Sequence, residues 1–216
     1  MIYGSRTSGG EHGTVYTNVE VVNFILSITG LNTINDFLIK KILDPSAGEG
    51  AFVIPLIRKI ISLSTNNRSN MIEILKNISL VELDPKKIEI LKNNIVTELR
   101  AHSLEYENFI QYIHIINDDY LLAKTGRYDV IIGNPPYVRY DNIPNEKVEI
   151  YKRLFSCFKN RSDLYILFIE KGIKSLNTNG ILSFICADRW LNNQYGISLK
   201  KTIYHNFFLK DFIKIE

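Results

Sequence analysis

Cysteine, methionine and tryptophan are scarce in this chain, at two, two and one in 216 residues. Cys157 and Cys186 stand far apart without metal-ligand spacing, so they read as reduced structural thiols, which excludes a disulfide scaffold and leaves no metal site to expect. No apolar run reaches the roughly 18 residues that a membrane span needs. The opening Met1–Gly10 stretch lacks the apolar core of a leader peptide, so a cytoplasmic protein without membrane contact is expected. A surplus of either charge is missing as well: 26 Lys and Arg against 23 Asp and Glu leave +3, which permits a local basic surface for nucleic acid without demanding one. There is no internal repeat and no interdomain linker. What is present, 45% hydrophobic and 23% charged residues, suits one α/β domain large enough to bury a core.

Residues 1–13 contain four glycines and read as a flexible lead-in to a domain over residues 14–216. Thr17-Asn18-Val19-Glu20 has the form of a capping box, and Val22, Ile25, Leu26 and Ile28 then make a helical stripe that Gly30 can end. Lys41–Asp44 reads as a short buried strand, followed after Pro45 and two glycines by helical character from Ala51 to Ser64 and a surface loop over Asn66–Asn70. A second strand spans Ile78–Leu83. Pro85 suits the first position of a helix whose stripe is Ile88, Leu91, Ile95 and Leu99. Further strands are expected at Tyr112–Ile116, Asp129–Ile132, Ile181–Cys186 and Phe212–Ile215, with helices at Ser162–Ser175 and Ile197–Asn206. This alternation argues a doubly wound, mostly parallel sheet, in which ligands bind beyond the carboxyl ends of the strands.

Those strand ends are polar. Asp44-Pro45-Ser46-Ala47-Gly48-Glu49-Gly50 follows the first strand; its glycines let backbone approach a ligand closely, while Asp44 suits a cation. A phosphate loop would need Gly-Lys-Ser/Thr, which is absent. Glu82-Leu83-Asp84 follows the second strand, where an acid can accept ribose hydroxyls. After the third come Asp118-Asp119-Tyr120, with a carboxylate for an adenine amino group and a ring to lie against the base. Three acids in three successive loops describe a site for an amino acid joined to a nucleoside, and S-adenosylmethionine is such a molecule. After the fourth strand the chain turns through Asn134-Pro135-Pro136-Tyr137. Two prolines fix two φ angles and remove two donors, giving a rigid corner that holds polar atoms still.

The segment order Gly13-Thr14-Val15-Tyr16-Thr17, then Asp44–Phe52, Val81–Pro85, Asp119–Leu122 and Asn134–Tyr137 resembles the gamma class of N6-adenine DNA methyltransferases of type II restriction-modification systems. Leu164-Tyr165, Phe168–Lys171 and Ala187–Leu191 also look like that family. The resemblance implies a Rossmann-like methyltransferase sheet with S-adenosylmethionine as cofactor and DNA as partner. Asp44 would face the methionine amino group beside Ser46, Gly48 and Gly50. Glu82 would take the ribose hydroxyls and Asp119, or alternatively Asp118, the adenine, with Tyr120 or Leu83 on its ring. Tyr16 and Thr17 would close over the methionine end.

By the same resemblance, Asn134, Pro135, Pro136 and Tyr137 would be catalytic. Acceptors on Asn134 and at the Pro135 carbonyl would draw on both hydrogens of an adenine amine whose lone pair is otherwise delocalised, with Tyr137 stacked on a base flipped out of the duplex. Basic residues after the corner, Arg139, Lys147, Lys152, Arg153, Lys159 and Arg161, suit phosphates or simply a solvated surface. A protein-glutamine or ribosomal-RNA N-methyltransferase would share the corner, as would a cofactor-binding fragment inactive without a partner chain. The family's last strand, second base-stacking aromatic and target-recognition domain have no counterpart here. A C-terminal domain or partner chain is therefore expected, along with self-association through an incomplete sheet.

Overall fold

The computed structural model describes residues 18–64, 67–159 and 162–214. Helix α1 (Val19–Ile28) buries Val22, Ile25 and Leu26, and the chain leaves it through Gly30 at φ +71°, where a side chain would be strained. The cap is the Asn18 side chain, which accepts the Glu20 amide at 2.8 Å. Thr17 of the expected capping box lies outside the described residues. A capping box does form one helix later: Thr33 and Asp36 satisfy each other's amides at the start of α2 (Ile34–Ile39).

Strand β1 (Ile42–Asp44) is buried throughout, as an inner parallel strand must be. Helix α3 (Val53–Ser64) follows it. The expected loop over residues 66–70 is corrected to a helix start: Asn67 caps the Asn70 amide at 3.1 Å and opens α4 (Arg68–Lys76), which buries Met71, Ile74 and Leu75. Strand β2 (Ile78–Glu82) leads into α5 (Pro85–His102), with Pro85 at its first turn and Ile88, Leu91, Ile95 and Leu99 buried as their spacing predicts. A 3-10 segment (Leu104–Tyr112) precedes β3 (His114–Asn117), and an irregular loop joins this to β4 (Tyr128–Gly133).

The strand order is β3-β2-β1-β4-β5, with β1 parallel to both β2 and β4 and β2 parallel to β3. The order reverses between β1 and β4, so the topological switch point lies where Asp44 and Gly133 end their strands. Strand β5 (Leu176–Phe184) begins earlier than its apolar run suggests, because it passes through Asn179 at φ 64° and Gly180 before reaching Ile181.

Two compact units divide the described chain: residues 18–133 with 175–183, which hold the sheet, and residues 134–174 with 184–214. The second carries α6 (Asn145–Leu154), α7 (Tyr165–Lys174), α8 (Arg189–Asn192) and α9 (Gly196–Asn206). α7 is an apolar helix buried nearly all round. The expected strand over 212–215 is corrected: Phe212–Lys214 form no ladder, and the segment after α9 exposes Phe207, Phe208, Leu209, Phe212 and Ile213. β-branched and aromatic composition alone does not make a strand. No helix among the described residues is long and apolar enough to cross a membrane.

Candidate functional site

In the sheet-bearing unit, the three acidic loops are tied together by main-chain hydrogen bonds. Glu82 is the clamp. Its Oε2 accepts the Gly48 amide at 2.9 Å and its Oε1 the Asp84 amide at 2.9 Å, while the Ala47 amide donates to the Val81 carbonyl at 2.9 Å. The loop after β1 is thus folded back onto the end of β2. Gly48 and Gly50 make this turn at φ +55° and +105°, and a Cβ on Gly50 would press within 3.1 Å of Leu91 on α5. From the other side, the Asn117 amide nitrogen donates to the carbonyls of Glu82 and Leu83, both at 3.0 Å, and the Asp118 amide donates to the Glu82 carbonyl at 3.2 Å.

Asp44 is buried, and its Oδ1 accepts the Ser46 amide at 3.0 Å. Burial pushes its carboxyl up to about 7, the Ser46 amide pulling the other way and the nearby Glu82 carboxylate adding to the rise. No cationic side chain contributes to that titration among the described residues. A buried carboxylate beside a turn of small residues fits a ligand with an ammonium centre, such as the amino-acid end of S-adenosylmethionine, which would supply a counter-charge there.

Asp119 is buried, whereas Asp118 is exposed and its Oδ1 caps the Asp119 amide at 2.7 Å. Asp119 in turn accepts the Leu121 amide at 3.0 Å, which fixes its carboxylate within its own turn. The two apolar candidates for an adenine face differ sharply. Tyr120 is 2% exposed and offers no face to a ligand, while Leu83 is 57% exposed at the mouth of the β2 loop. Sequence alone does not distinguish them, because a tyrosine after an acid reads equally well as a stacking ring or a core ring. Tyr16 and Thr17 lie outside the described residues.

The second unit carries the corner. Asn134 to Arg139 form neither helix nor strand, Pro135 is buried, and the peptide bonds described are all trans. Tyr137 is half-buried. Its hydroxyl donates to the Ile185 carbonyl at 3.2 Å and its ring lies 6.2 Å from that of Tyr165 at 47°. Burial raises the Tyr137 phenol well above its ordinary value, Cys186 adding to the effect, so the hydroxyl stays protonated. Burial likewise raises Cys157 and Cys186 to about 11 each; both are free thiols and neither is a nucleophile at neutral pH. Trp190 is a core side chain, 6% exposed. Among the basic residues after the corner, Lys152 is paired with Glu149 at 2.8 Å, and Arg161 lies outside the described residues.

A further buried acid lies in the Phe168–Lys171 segment. Glu170, fully buried on α7, accepts the amides of Ser156 and Cys157 at 3.0 and 2.8 Å, the Ser156 hydroxyl at 2.8 Å and the Lys174 ammonium at 2.6 Å. Burial raises its carboxyl, but Lys174 and these donors more than offset it and hold the pKa below the ordinary value.

A parallel sheet in the order β3-β2-β1-β4-β5 with carboxylates at three strand ends has the Rossmann-like architecture of the S-adenosylmethionine-dependent methyltransferases. A solved chain from Listeria monocytogenes assigned to class I of these enzymes has the same fold, at 18% identity and a TM-score of 0.57, covering 92% of this chain and 54% of its own. The fold is also found in the DrdV-DNA complex, at 20% identity and a TM-score of 0.66, over 87% of this chain and 22% of that one. The family model described as Eco57I restriction-modification methylase matches residues 59–216, and the chain belongs to that family. Among curated relatives, the type II methyltransferase M.PaeR7I of Pseudomonas aeruginosa is 34% identical over 215 residues, 96% of this chain. The chain spans 38% of that relative's length.

Proposed function

We propose that this chain is the catalytic part of a DNA methyltransferase that places a methyl group on the N6 amine of a flipped-out adenine, acting in the cytoplasm within a restriction-modification system. The observation that carries the reading is the rigid Asn134-Pro135-Pro136-Tyr137 corner leaving β4 directly at the switch point, where Gly133 lies against Asp44. The family membership and the fold support it.

S-adenosylmethionine supplies an electrophilic methyl on a sulfonium. Asp44 would hold its amino group beside Ser46, Gly48 and Gly50, Glu82 the ribose hydroxyls and Asp119 the adenine, with exposed Leu83 covering the ring and Tyr120 supporting from the core. Asn134 Oδ1 and the Pro135 carbonyl would accept the two hydrogens of the target amine. That draws its lone pair out of conjugation and stabilises the charge that develops on nitrogen. Pro135 and Pro136 keep those acceptors from turning away, and Tyr137 would stack on the base, worth roughly 1–3 kcal/mol. No strong base is required, since the proton can leave after transfer.

The chain spans well under half of its curated relatives, so target recognition is assigned to further sequence or a partner chain. The test is methyl transfer from labelled S-adenosylmethionine to mixed-sequence DNA by the full-length protein, followed by nucleoside mass spectrometry. N6-methyl-2′-deoxyadenosine supports the reading. N4-methyl-2′-deoxycytidine overturns the adenine assignment, and transfer only to protein or RNA overturns the DNA assignment.

A further inference from the structure

Asp163-Leu164-Tyr165 opens α7, and none of its three residues has a place in the chemistry above. All three touch something that bears on the corner. The Leu164 amide donates to the Val138 carbonyl at 2.9 Å, which pins the residue after Tyr137. The Tyr165 ring, 1% exposed, lies 6.2 Å from the Tyr137 ring at 47°. The Tyr165 hydroxyl lies 3.3 Å from that of Tyr195, which donates to Asp163 Oδ2 at 3.5 Å. The Tyr137 hydroxyl is held at the other end by the Ile185 carbonyl.

A ring with one fixed edge and one free face can still swing about its Cβ. The second contact, ring against ring, is what removes that freedom. Burial of Tyr165 then needs its hydroxyl satisfied, and Tyr195 does this, oriented in turn by Asp163.

We infer that Tyr165 is a positioning residue for the methyl-transfer reaction: its ring sets the plane of Tyr137, and Tyr195 and Asp163 hold Tyr165 in place. This rests on the reading of Tyr137 as the base-stacking residue. Tyr165 acts on neither base nor cofactor directly, and its effect passes through Tyr137. A base that stacks on a tilted ring presents its amine off the line of attack, so misplacement lowers turnover more than it lowers cofactor affinity.

The first arm of the test needs no substrate. With 3-fluorotyrosine incorporated, the 19F resonance absent from Tyr137→Phe identifies that ring. It is expected to shift in Tyr165→Leu, less in Tyr165→Phe, and not in Tyr204→Phe, whose side chain is 85% exposed. An unshifted Tyr137 resonance in Tyr165→Leu overturns the inference. The second arm uses unmodified target DNA for turnover and, separately, DNA with 2-aminopurine at the target position to report stacking. Tyr165→Leu is expected to lower kcat by about tenfold or more and to raise 2-aminopurine emission as stacking loosens, with S-adenosylmethionine affinity by calorimetry kept within about twofold. Parallel losses of kcat and cofactor affinity mean a folding role alone and sink the proposal. A wild type that methylates no DNA contradicts the functional reading, while the fluorine arm still decides whether Tyr165 positions Tyr137.

Discussion

Gly133 and Asp44 end adjacent parallel strands so closely that a Cβ built on Gly133 would lie 2.9 Å from Asp44 Oδ1 and 3.3 Å from Pro45 Cδ. The close approach follows from the switch point, where two loops leave the sheet in opposite directions and the backbone must pass between them. Gly133→Ala therefore pushes on a buried carboxylate and a proline ring, neither of which yields easily. The expected cost is about 1–3 kcal/mol of stability by denaturant melt. S-adenosylmethionine affinity should fall by about tenfold as Asp44 is displaced.

Asp44 should make cofactor binding pH-dependent. Its folded pKa is about 7 against 3.8 in the unfolded chain. Between those values the folded protein keeps a proton that the unfolded chain has released. Stability from this group is complete below about pH 4 and is lost as pH rises to 7, by at most about 1.4 kcal/mol per unit. A cationic ligand favours the ionised form, so affinity should rise from pH 5.5 to about 7 and then level. Calorimetry in buffers of different ionisation enthalpy should detect close to one proton released per cofactor at the acid end. Asp44→Asn should bind weakly and show neither trend.

At the corner, Asn134→Ala should lower kcat by about 10²–10³-fold, the usual effect of losing one group that stabilises developing charge. S-adenosylmethionine affinity, measured by calorimetry on the same preparation, should stay within about twofold. An equal fall in affinity would show that Asn134 belongs to the cofactor side.

Glu170 predicts a stability effect without a catalytic one. Removing its carboxylate in Glu170→Ala strands the Ser156 and Cys157 amides, at an expected cost of about 1–3 kcal/mol. Lys174, whose side chain is 55% exposed, stays solvated and adds little. Glu170→Gln keeps an acceptor and should recover part of the loss in the same thermal melt.

The sequence pattern exposes the fold where a single physical signal dominates. Helix α5 is the clear case: Pro85 sets its start and four apolar residues one turn apart set its buried face. The β1 to β4 strands are legible for a related reason, being short apolar runs closed by polar loops. Helix α4 is hidden because Asn66-Asn67-Arg68-Ser69-Asn70 has a loop's composition, although the asparagine that suggests a loop is the one that caps the helix. Helix α6 is hidden by its charge, with only Val148 and Tyr151 buried.

Within the site, the acids and the corner can be read from their places after strands. The contrast between buried Tyr120 and exposed Leu83 cannot, because both follow an acid and only packing separates them. Nor can the bracing of Tyr137, since Tyr165 lies 28 positions from Tyr137 and Tyr195 lies 30 from Tyr165, and each pair meets only through tertiary structure.

Glu82 bonds two separate main-chain amides, one on each side of its own strand end. A carboxylate spent in this way cannot rotate when a ligand departs, and its rotamer entropy is already lost at folding. Cofactor and demethylated product should thus meet the same rigid seat in either direction of exchange. Exchange at this turn is then a matter of diffusion in and out of a standing shape, the Gly48 and Asp84 amides staying where they are between cycles.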